Sequence, residues 1–367
     1  MNDREYMAQA VRLARRGIYS THPNPNVGCV IVAQGTVVGS GWHQRAGGPH
    51  AEVYALRQAG ESARGAVVYL TLEPCSHHGR TPPCADALVH AGVGRVVVAM
   101  QDPNPLVAGQ GLQRLAAAGV KVESGLLEDE ARALNPGFLS RMQRGRPWVR
   151  VKLASSLDGR TAMASGESKW ITAEPARRDV QRLRARSSAI VTGIGTVKAD
   201  DPSLNVRLEA QQLMGVEPVR QPLRVVMDTH LAMPRQAQML SLPGDTLVVT
   251  AERDSKRWRA LQEAGAEVVA IDTRQGRLEP EAVLKLLAER QVNEVLLECG
   301  ARLAGAFLAA KLVDELVLYL APHLMGDSAR GLFHLPALQQ MRDRVELELR
   351  DVRQVGDALR VTARPHY

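Results

Sequence analysis

His50, Cys75 and Cys84 offer one imidazole and two thiols, and Glu52 lies two residues beyond the histidine. An imidazole and two thiolates can hold Zn²⁺ and leave its fourth position for water, which separates a catalytic site from a closed structural one. Such an ion lowers the pKa of that water toward about 7. Glu52 is close enough to take its proton and return it to a ring nitrogen and a departing amine. The chemistry implied is hydrolytic removal of an amine from an aromatic ring. Two plainer readings stay open: a structural zinc closed by His77 or His78, or buried Cys and His without metal.

Helix starts are expected to position these ligands. The run from His50 to Ala59 predicts a helix stopped by Gly60, with His50 in its first turn. Cys84, just after Pro82-Pro83, should open a helix running to His90, and Cys75 follows the strand AVVYLTL (66–72). Free N–H groups at such ends favour thiolate over thiol. Around them, residues 3–16 show helical spacing, and VGCVIVA (27–33) with TVVGSGW (36–42) reads as a hairpin. A strand at 95–100, a helix at 111–119, a short strand at 120–124 and one helix over 128–143 complete an α/β layer pattern.

Arg144-Gly145-Arg146-Pro147 marks a stop, which predicts domains at 1–145 and 146–367. A second alternating series follows, with strands at 148–155, 188–193, 223–228, 245–250, 266–271, 293–298 and 314–322. Helices are expected at 174–186, near 255–264, at 280–290 and after Gly300, so this half is α/β as well.

The chain has 367 residues, 46 basic against 39 acidic. The basic excess is spread out, and with only three Phe there is little to stack bases, so small anionic substrates are favoured over nucleic acid. No run of about 18 apolar residues predicts a membrane span. The polar N-terminus and four cysteines point to a reducing, cytoplasmic setting without a disulfide framework.

At HPNPNVGCVIV (22–32), GPHAEVYAL (48–56), TLEPCSHHGRTPPC (71–84), DPNP (102–105), KLASSLDGRTAMASGESKWIT (152–172), ADDPSLNVR (199–207) and ECGARLAGAFL (298–308) the chain resembles the bifunctional riboflavin-biosynthesis deaminase/reductase family. The eight residues between the two cysteines depart from the C-x₂-C of ordinary cytidine and tRNA adenosine deaminases, and match that family's long insert. The resemblance implies a cytidine-deaminase-like three-layer domain followed by a dihydrofolate-reductase-like domain. It implies hydrolysis of the 2-amino group of 2,5-diamino-6-ribosylamino-4(3H)-pyrimidinone 5′-phosphate, then NADPH reduction of the product's ribosyl group to ribityl. Zn²⁺ and NADPH are the implied cofactors, and a homo-oligomer, dimer or tetramer, is the implied assembly.

By the same resemblance Asn24 contacts the pyrimidine, with Arg80 a further substrate residue and His43, Asp102 and Asn104 weaker candidates. Ala154, Trp170, Thr196, Asp200 and, with a looser alignment, Thr229 fall on cofactor positions. Ser168, Arg184, Leu204, Arg207 and Glu298 fall on substrate positions, Arg184 and Arg207 being sensible phosphate clamps. No G-x-G-x-x-G follows a strand. Instead Gly300-Ala301-Arg302-Leu303-Ala304-Gly305-Ala306 follows one and opens a helix, where backbone N–H groups can rest on the cofactor's phosphates. Arg253, Lys256 or Arg257 could meet a 2′-phosphate, and Asp200 or Glu298 could move the proton that reduction needs.

Two other functions make different demands on the sequence. A nucleoside or tRNA deaminase with an appended non-catalytic domain predicts C-x₂-C and stacking aromatics. A zinc-stabilised nucleic-acid-binding module predicts clustered charge and a steep salt dependence.

Overall fold

The structure is a computed structural model and describes residues 1–76, 83–105, 107–253 and 255–367. It divides into two compact units, Met1–Gly145 and Arg146–Tyr367.

The first unit runs α1 (Asp3–Ala14), β1 (Gly28–Ala33), β2 (Thr36–Trp42), α2 (Ala51–Ala59), β3 (Val67–Leu70), α3 (Cys84–His90), β4 (Arg95–Val98), α4 (Gln110–Ala117), β5 (Lys121–Ser124), α5 (Glu128–Leu134) and α6 (Pro136–Arg144). Its sheet has the order β2-β1-β3-β4-β5. β1 is antiparallel to β2 and β3, and the remaining pairs are parallel. Side-chain alternation splits the apolar residues between two faces. Cys29, Ile31, Val68 and Val96 pack with Ala51 and Ala55 of α2, Leu88 of α3 and Leu115 of α4. Val30, Val32, Tyr69 and Val97 pack with Met7 and Ala10 of α1 and Ala131 of α5. Three layers result.

The second unit runs β6 (Trp148–Ser156), β7 (Arg160–Ala162), α7 (Glu174–Arg186), β8 (Ala189–Gly193), α8 (Ile194–Asp200), β9 (Leu223–Met227), β10 (Thr246–Thr250), α9 (Lys256–Glu263), β11 (Ala266–Ala270), β12 (Thr273–Arg274), β13 (Arg277–Leu278), α10 (Pro280–Glu289), β14 (Glu294–Leu297), α11 (Ala301–Ala309), β15 (Glu315–Ala321), β16 (Arg330–Gly331), β17 (Glu346–Val355) and β18 (Ala358–His366). The large sheet has the order β11-β10-β9-β8-β14-β6-β15-β18-β17. It is parallel as far as β15, and β18 then runs antiparallel to both β15 and β17. Helices α10 and α11 cover one face, and α7, α8 and α9 cover the other.

Several elements differ from the sequence expectation, among them the short strands β7, β12, β13 and β16, which it did not include. The single helix over 128–143 is two, because Asn135 precedes Pro136 and leaves the helical conformation (φ −129°, ψ 38°). The short helix α8 and the long hairpin β17–β18 carry too little apolar periodicity to be seen in the sequence. Among the described residues no helix is long and apolar enough to cross a membrane.

Candidate active sites

In the first unit the local folding of α2 decides where two of the four chemical residues stand. His50 is the N-cap residue (φ −74°, ψ 167°), just outside the helix and not within its first turn as expected. Glu52 is the second helical residue and only 3% exposed. α2 lies against β2 at glycines: a Cβ at Gly41 would stand 2.5 Å from the Ala51 carbonyl oxygen, and one at Gly39 2.2 Å from that of Ala55. Larger residues there would lift the helix and its two chemical groups off the sheet.

Cys84 is the first residue of α3. Its N–H donates to Sγ of Cys75 at 3.3 Å, and the Ala85 N–H donates to the Cys75 carbonyl at 3.2 Å. His50 Nδ1 stands 3.2 Å from Sγ of Cys84 and 3.7 Å from Sγ of Cys75. The three donor atoms all lie within 4.8 Å of one another. Zinc with bonds of about 2.0–2.3 Å needs donor separations of roughly 3.5–3.8 Å in a tetrahedron, so the set fits the ion. The electrostatics agree. The Cys75 thiol is pulled down to about 4, first by its hydrogen bond with the Cys84 thiol and then by His50. That same bond pushes Cys84 up. A cation held by both sulfurs would favour the thiolate at each.

Glu52 is raised above the ordinary carboxylate range by burial, partly offset by His50. Beside His50, with ring centroids 5.5 Å apart, His43 is 2% exposed, and burial lowers its pKa. Its Nδ1 lies 3.0 Å from the Pro49 carbonyl, which can only accept, so Nδ1 carries the proton. Its Nε2 therefore accepts from Asn24 Nδ2 at 3.0 Å. This leaves the Asn24 Oδ1 as the acceptor directed elsewhere. Asp102 accepts from the Asn104 N–H at 2.8 Å and keeps the 102–105 turn closed. Arg80, His77 and His78 lie outside the described residues.

In the second unit the sequence candidates gather at the carboxyl ends of neighbouring strands, where open α/β sheets bind ligands. Ala154 is near the end of β6, and Glu298 and Gly300 follow β14. Thr196 and Asp200 lie on α8 after β8, and Thr229 follows β9. Gly300 caps α11 with an extended backbone (φ −78°, ψ 169°). The Ala304 N–H already donates to the Gly300 carbonyl at 3.2 Å, so free amides are confined to residues 300–303. Ala304 and Gly305 are buried, and a Cβ at Gly305 would meet the His334 carbonyl oxygen at 2.2 Å. Of the seven residues read as a cofactor loop, all but Gly300 lie on α11; Ala304 and Gly305 are buried in its packing, and Ala306 is exposed.

Arg184 grips Glu298 with two hydrogen bonds, Nε to Oε1 at 2.6 Å and Nη2 to Oε2 at 3.0 Å. Its Nη1 donates to the Asn205 carbonyl at 3.1 Å. The guanidinium expected to clamp a phosphate is therefore engaged in orienting a carboxylate. Burial raises Glu298, but the charge and hydrogen bonds of Arg184, with the charges of Lys152 and Arg207, together more than offset it, so its pKa is lowered. Arg207 is exposed and bonds Ser203 and Asn205. Leu204 is 2% exposed with φ +45°, so its side chain belongs to the core. Ser168 is half-buried, and Trp170, 74% exposed, lies under the Arg177 guanidinium.

Sequence reasoning missed Lys152, whose pKa is lowered by burial and by Arg184 while Glu298 partly restores it. A lysine inside the apolar run WVRVKLAS was the available signal. It also assigned nothing to Glu73, although a carboxylate closing an apolar strand was an available signal. Arg253, one of three residues considered for a 2′-phosphate, pairs with Asp272 at 2.8 Å. Arg257 lines a cavity of about 310 Å³ with Lys198, Leu231, Met233 and Arg235, and Lys256 lines a second pocket beside it.

Two family models match the chain: the cytidine and deoxycytidylate deaminase zinc-binding region over residues 1–100, and the RibD C-terminal domain over 147–361. The riboflavin biosynthesis protein RibD of Escherichia coli K12 is 52% identical, covering 97% of each chain. That of Haemophilus influenzae is 48% identical over 98% of this chain and 96% of its own. Among solved structures, Acinetobacter baumannii RibD superposes with a TM-score of 0.92 at 49% identity, covering 100% of this chain and 99% of that one. A diaminohydroxyphosphoribosylaminopyrimidine deaminase/5-amino-6-(5-phosphoribosylamino)uracil reductase from Thermotoga maritima gives 0.87 at 31% identity, covering 99% and 98%. The chain belongs to the RibD family of riboflavin biosynthesis proteins, with a hydrolytic deaminase half and a reductase half on one polypeptide.

Proposed function

We propose that the first unit hydrolyses the 2-amino group of 2,5-diamino-6-ribosylamino-4(3H)-pyrimidinone 5′-phosphate, and that the second reduces the ribosyl group of the product to ribityl with NADPH. The observation that carries this reading is the convergence of His50 Nδ1 and the sulfurs of Cys75 and Cys84 beside the buried carboxylate of Glu52. These three residues would hold Zn²⁺, which makes a water acidic enough to act near neutral pH. Glu52 would carry one proton of the attacking water to the ring nitrogen and a second, from the hydroxyl then bound to the ring carbon, to the amine, which leaves as ammonia as the C–N bond breaks. Its raised pKa suits a group that must both accept and return a proton. Asn24, its amide oriented by His43, offers Oδ1 to an N–H of the pyrimidine. Arg80 remains assigned to the substrate by family likeness.

In the second unit the free amides of residues 300–303 suit the cofactor's pyrophosphate. Ala154, Trp170, Thr196, Asp200 and Thr229 would line the rest of the dinucleotide. Lys198, Arg235, Lys256 and Arg257 gather positive charge around the two pockets beyond Thr229, where a 2′-phosphate would select NADPH over NADH. Ser168, Leu204 through its backbone, and Arg207 would meet the ribosyl phosphate. Hydride transfer needs mainly orientation. For the accompanying proton, Glu298 is held ionised by Arg184 and so would orient the reacting group, whereas Lys152, whose pKa burial lowers beside that carboxylate, is a better-matched donor than Glu298 or Asp200. The exposed apolar residues Leu347, Leu349 and Val352 on the edge strand β17 support a homo-oligomer, and the reading places both reactions in the cytoplasm.

The test is Glu52→Gln. The variant should keep its metal and its reduction of supplied deaminated product, and lose about 10²–10⁴-fold in ammonia release. Ammonia release within tenfold of the parent would remove Glu52 from the mechanism.

A further inference from the structure

Eight residues separate Cys75 from Cys84, too many for the intervening loop alone to fix two sulfurs at coordination distance. α4, which carries no ligand, reaches both ligand segments. At its start the carboxylate of Glu73, 4% exposed, accepts N–H bonds from Gly109 (3.0 Å), Gly111 (2.9 Å) and Leu112 (3.4 Å), and from Asp102 (3.1 Å). The helix's own first amides have no intrahelical partner, so a buried anion is stabilised there without a positive side chain. Gly111 lets the segment seat closely, since a Cβ on it would fall 2.1 Å from the Pro74 carbonyl oxygen. One turn further along, Arg114 Nη1 donates to the Ser76 carbonyl at 3.2 Å, and its Nε pairs with Asp86 on α3 at 2.5 Å. The helix therefore touches the chain two residues before Cys75, one residue after it, and two residues beyond Cys84.

We propose that α4 is a brace that sets the separation and orientation of the two sulfur donors, with Glu73, Arg114 and Asp86 as its positioning residues. None of the three is a ligand or an acid–base group. In a short C-x₂-C turn the local backbone holds the sulfurs together; here a tertiary clamp reinforces the direct bonds from the Cys84 and Ala85 amides to Cys75. The inference rests on reading His50, Cys75 and Cys84 as a metal site.

The test uses full-length protein loaded with Co²⁺, whose visible bands report the geometry of a thiolate-rich site, and follows loss of zinc to a chelator. Arg114→Ala and Asp86→Asn should each shift or weaken the cobalt bands and release zinc about tenfold faster. Arg114→Lys should fall between them and the parent, because it keeps one contact and loses the other. The double variant Asp86→Asn/Arg114→Ala should be no worse than either single one. The first unit should keep its circular dichroism and a cooperative melting transition, which shows that it is folded, and reduction of supplied product should be unchanged throughout. Glu73→Gln should behave like Arg114→Ala; if it does not fold, the two surface variants decide alone. Cobalt spectra and zinc release identical to the parent in both Arg114→Ala and Asp86→Asn would overturn the brace. If the parent protein itself gave no thiolate–cobalt band, the metal reading would fail first, and the brace with it.

Discussion

Replacing Arg184 by leucine should cost the second unit about 3 kcal/mol of stability. Both ends of the Arg184–Glu298 pair are about a tenth exposed, at 11% and 10%, and the contact is bidentate. Breaking such a pair leaves an uncompensated buried carboxylate, at a cost of roughly 3–5 kcal/mol. Lys152 still attracts Glu298 in the variant, which puts the expectation at the lower end. In a unit of this size each kcal/mol lowers the melting temperature by about 2–4 °C, so a drop of roughly 6–12 °C is expected. Calorimetry of the whole chain should show it in one transition only, because the pair lies within Arg146–Tyr367. Arg184→Leu/Glu298→Leu, which removes both charges, should melt above Arg184→Leu. The pH dependence follows from the lowered pKa of Glu298. The pair's stabilisation is complete above the unfolded value near 4.3 and is lost as pH falls through the lower folded value, so parent and variant should converge in acid. A drop of under 3 °C at pH 7.5, or a double variant no more stable than the single, would refute the argument.

Alanine at Lys256 and Arg257 together should raise the KM for NADPH at least tenfold, through loss of charge-assisted hydrogen bonds, and leave the KM for NADH unchanged; equal effects on both cofactors would place the 2′-phosphate elsewhere. His43→Asn should free the Asn24 amide to turn and raise the deaminase KM roughly tenfold with zinc content intact, as read by ammonia release and metal analysis; an unchanged KM would show that Asn24 needs no such partner. Gly41→Ala should push α2 from the sheet, lowering stability by about 1–3 kcal/mol and slowing deamination but not reduction; full deaminase activity would mean that His50 and Glu52 tolerate the shift.

Much of the architecture can be read along the chain because its apolar residues repeat with the period of the element that buries them. The strands of both sheets up to β15 are short apolar runs between turn residues, covered on both faces by helices. The hairpin β17–β18 closes the edge of the large sheet, and ELELRDVRQV exposes most of its side chains, so no buried face writes a pattern into it. The break at Asn135 is a local matter that Pro136 signals. Its compensation is not local, for the Asn135 side chain bonds the backbone of Asn26 at 2.7 and 2.9 Å.

The residues able to do chemistry were decided by the sequence itself. Imidazoles and thiols are few, ten and four in this chain, and a metal site needs several of them whatever surrounds it. What each neighbour does was decided only by folding. Arg184 and Glu298 are 114 positions apart, and their charges meet because α7 packs across the end of β14. Glu73 reads as the last residue before a proline until α4 wraps its first amides around it. Side-chain identity is a property of one position, whereas burial, pairing and proton affinity belong to the space that distant segments enclose together.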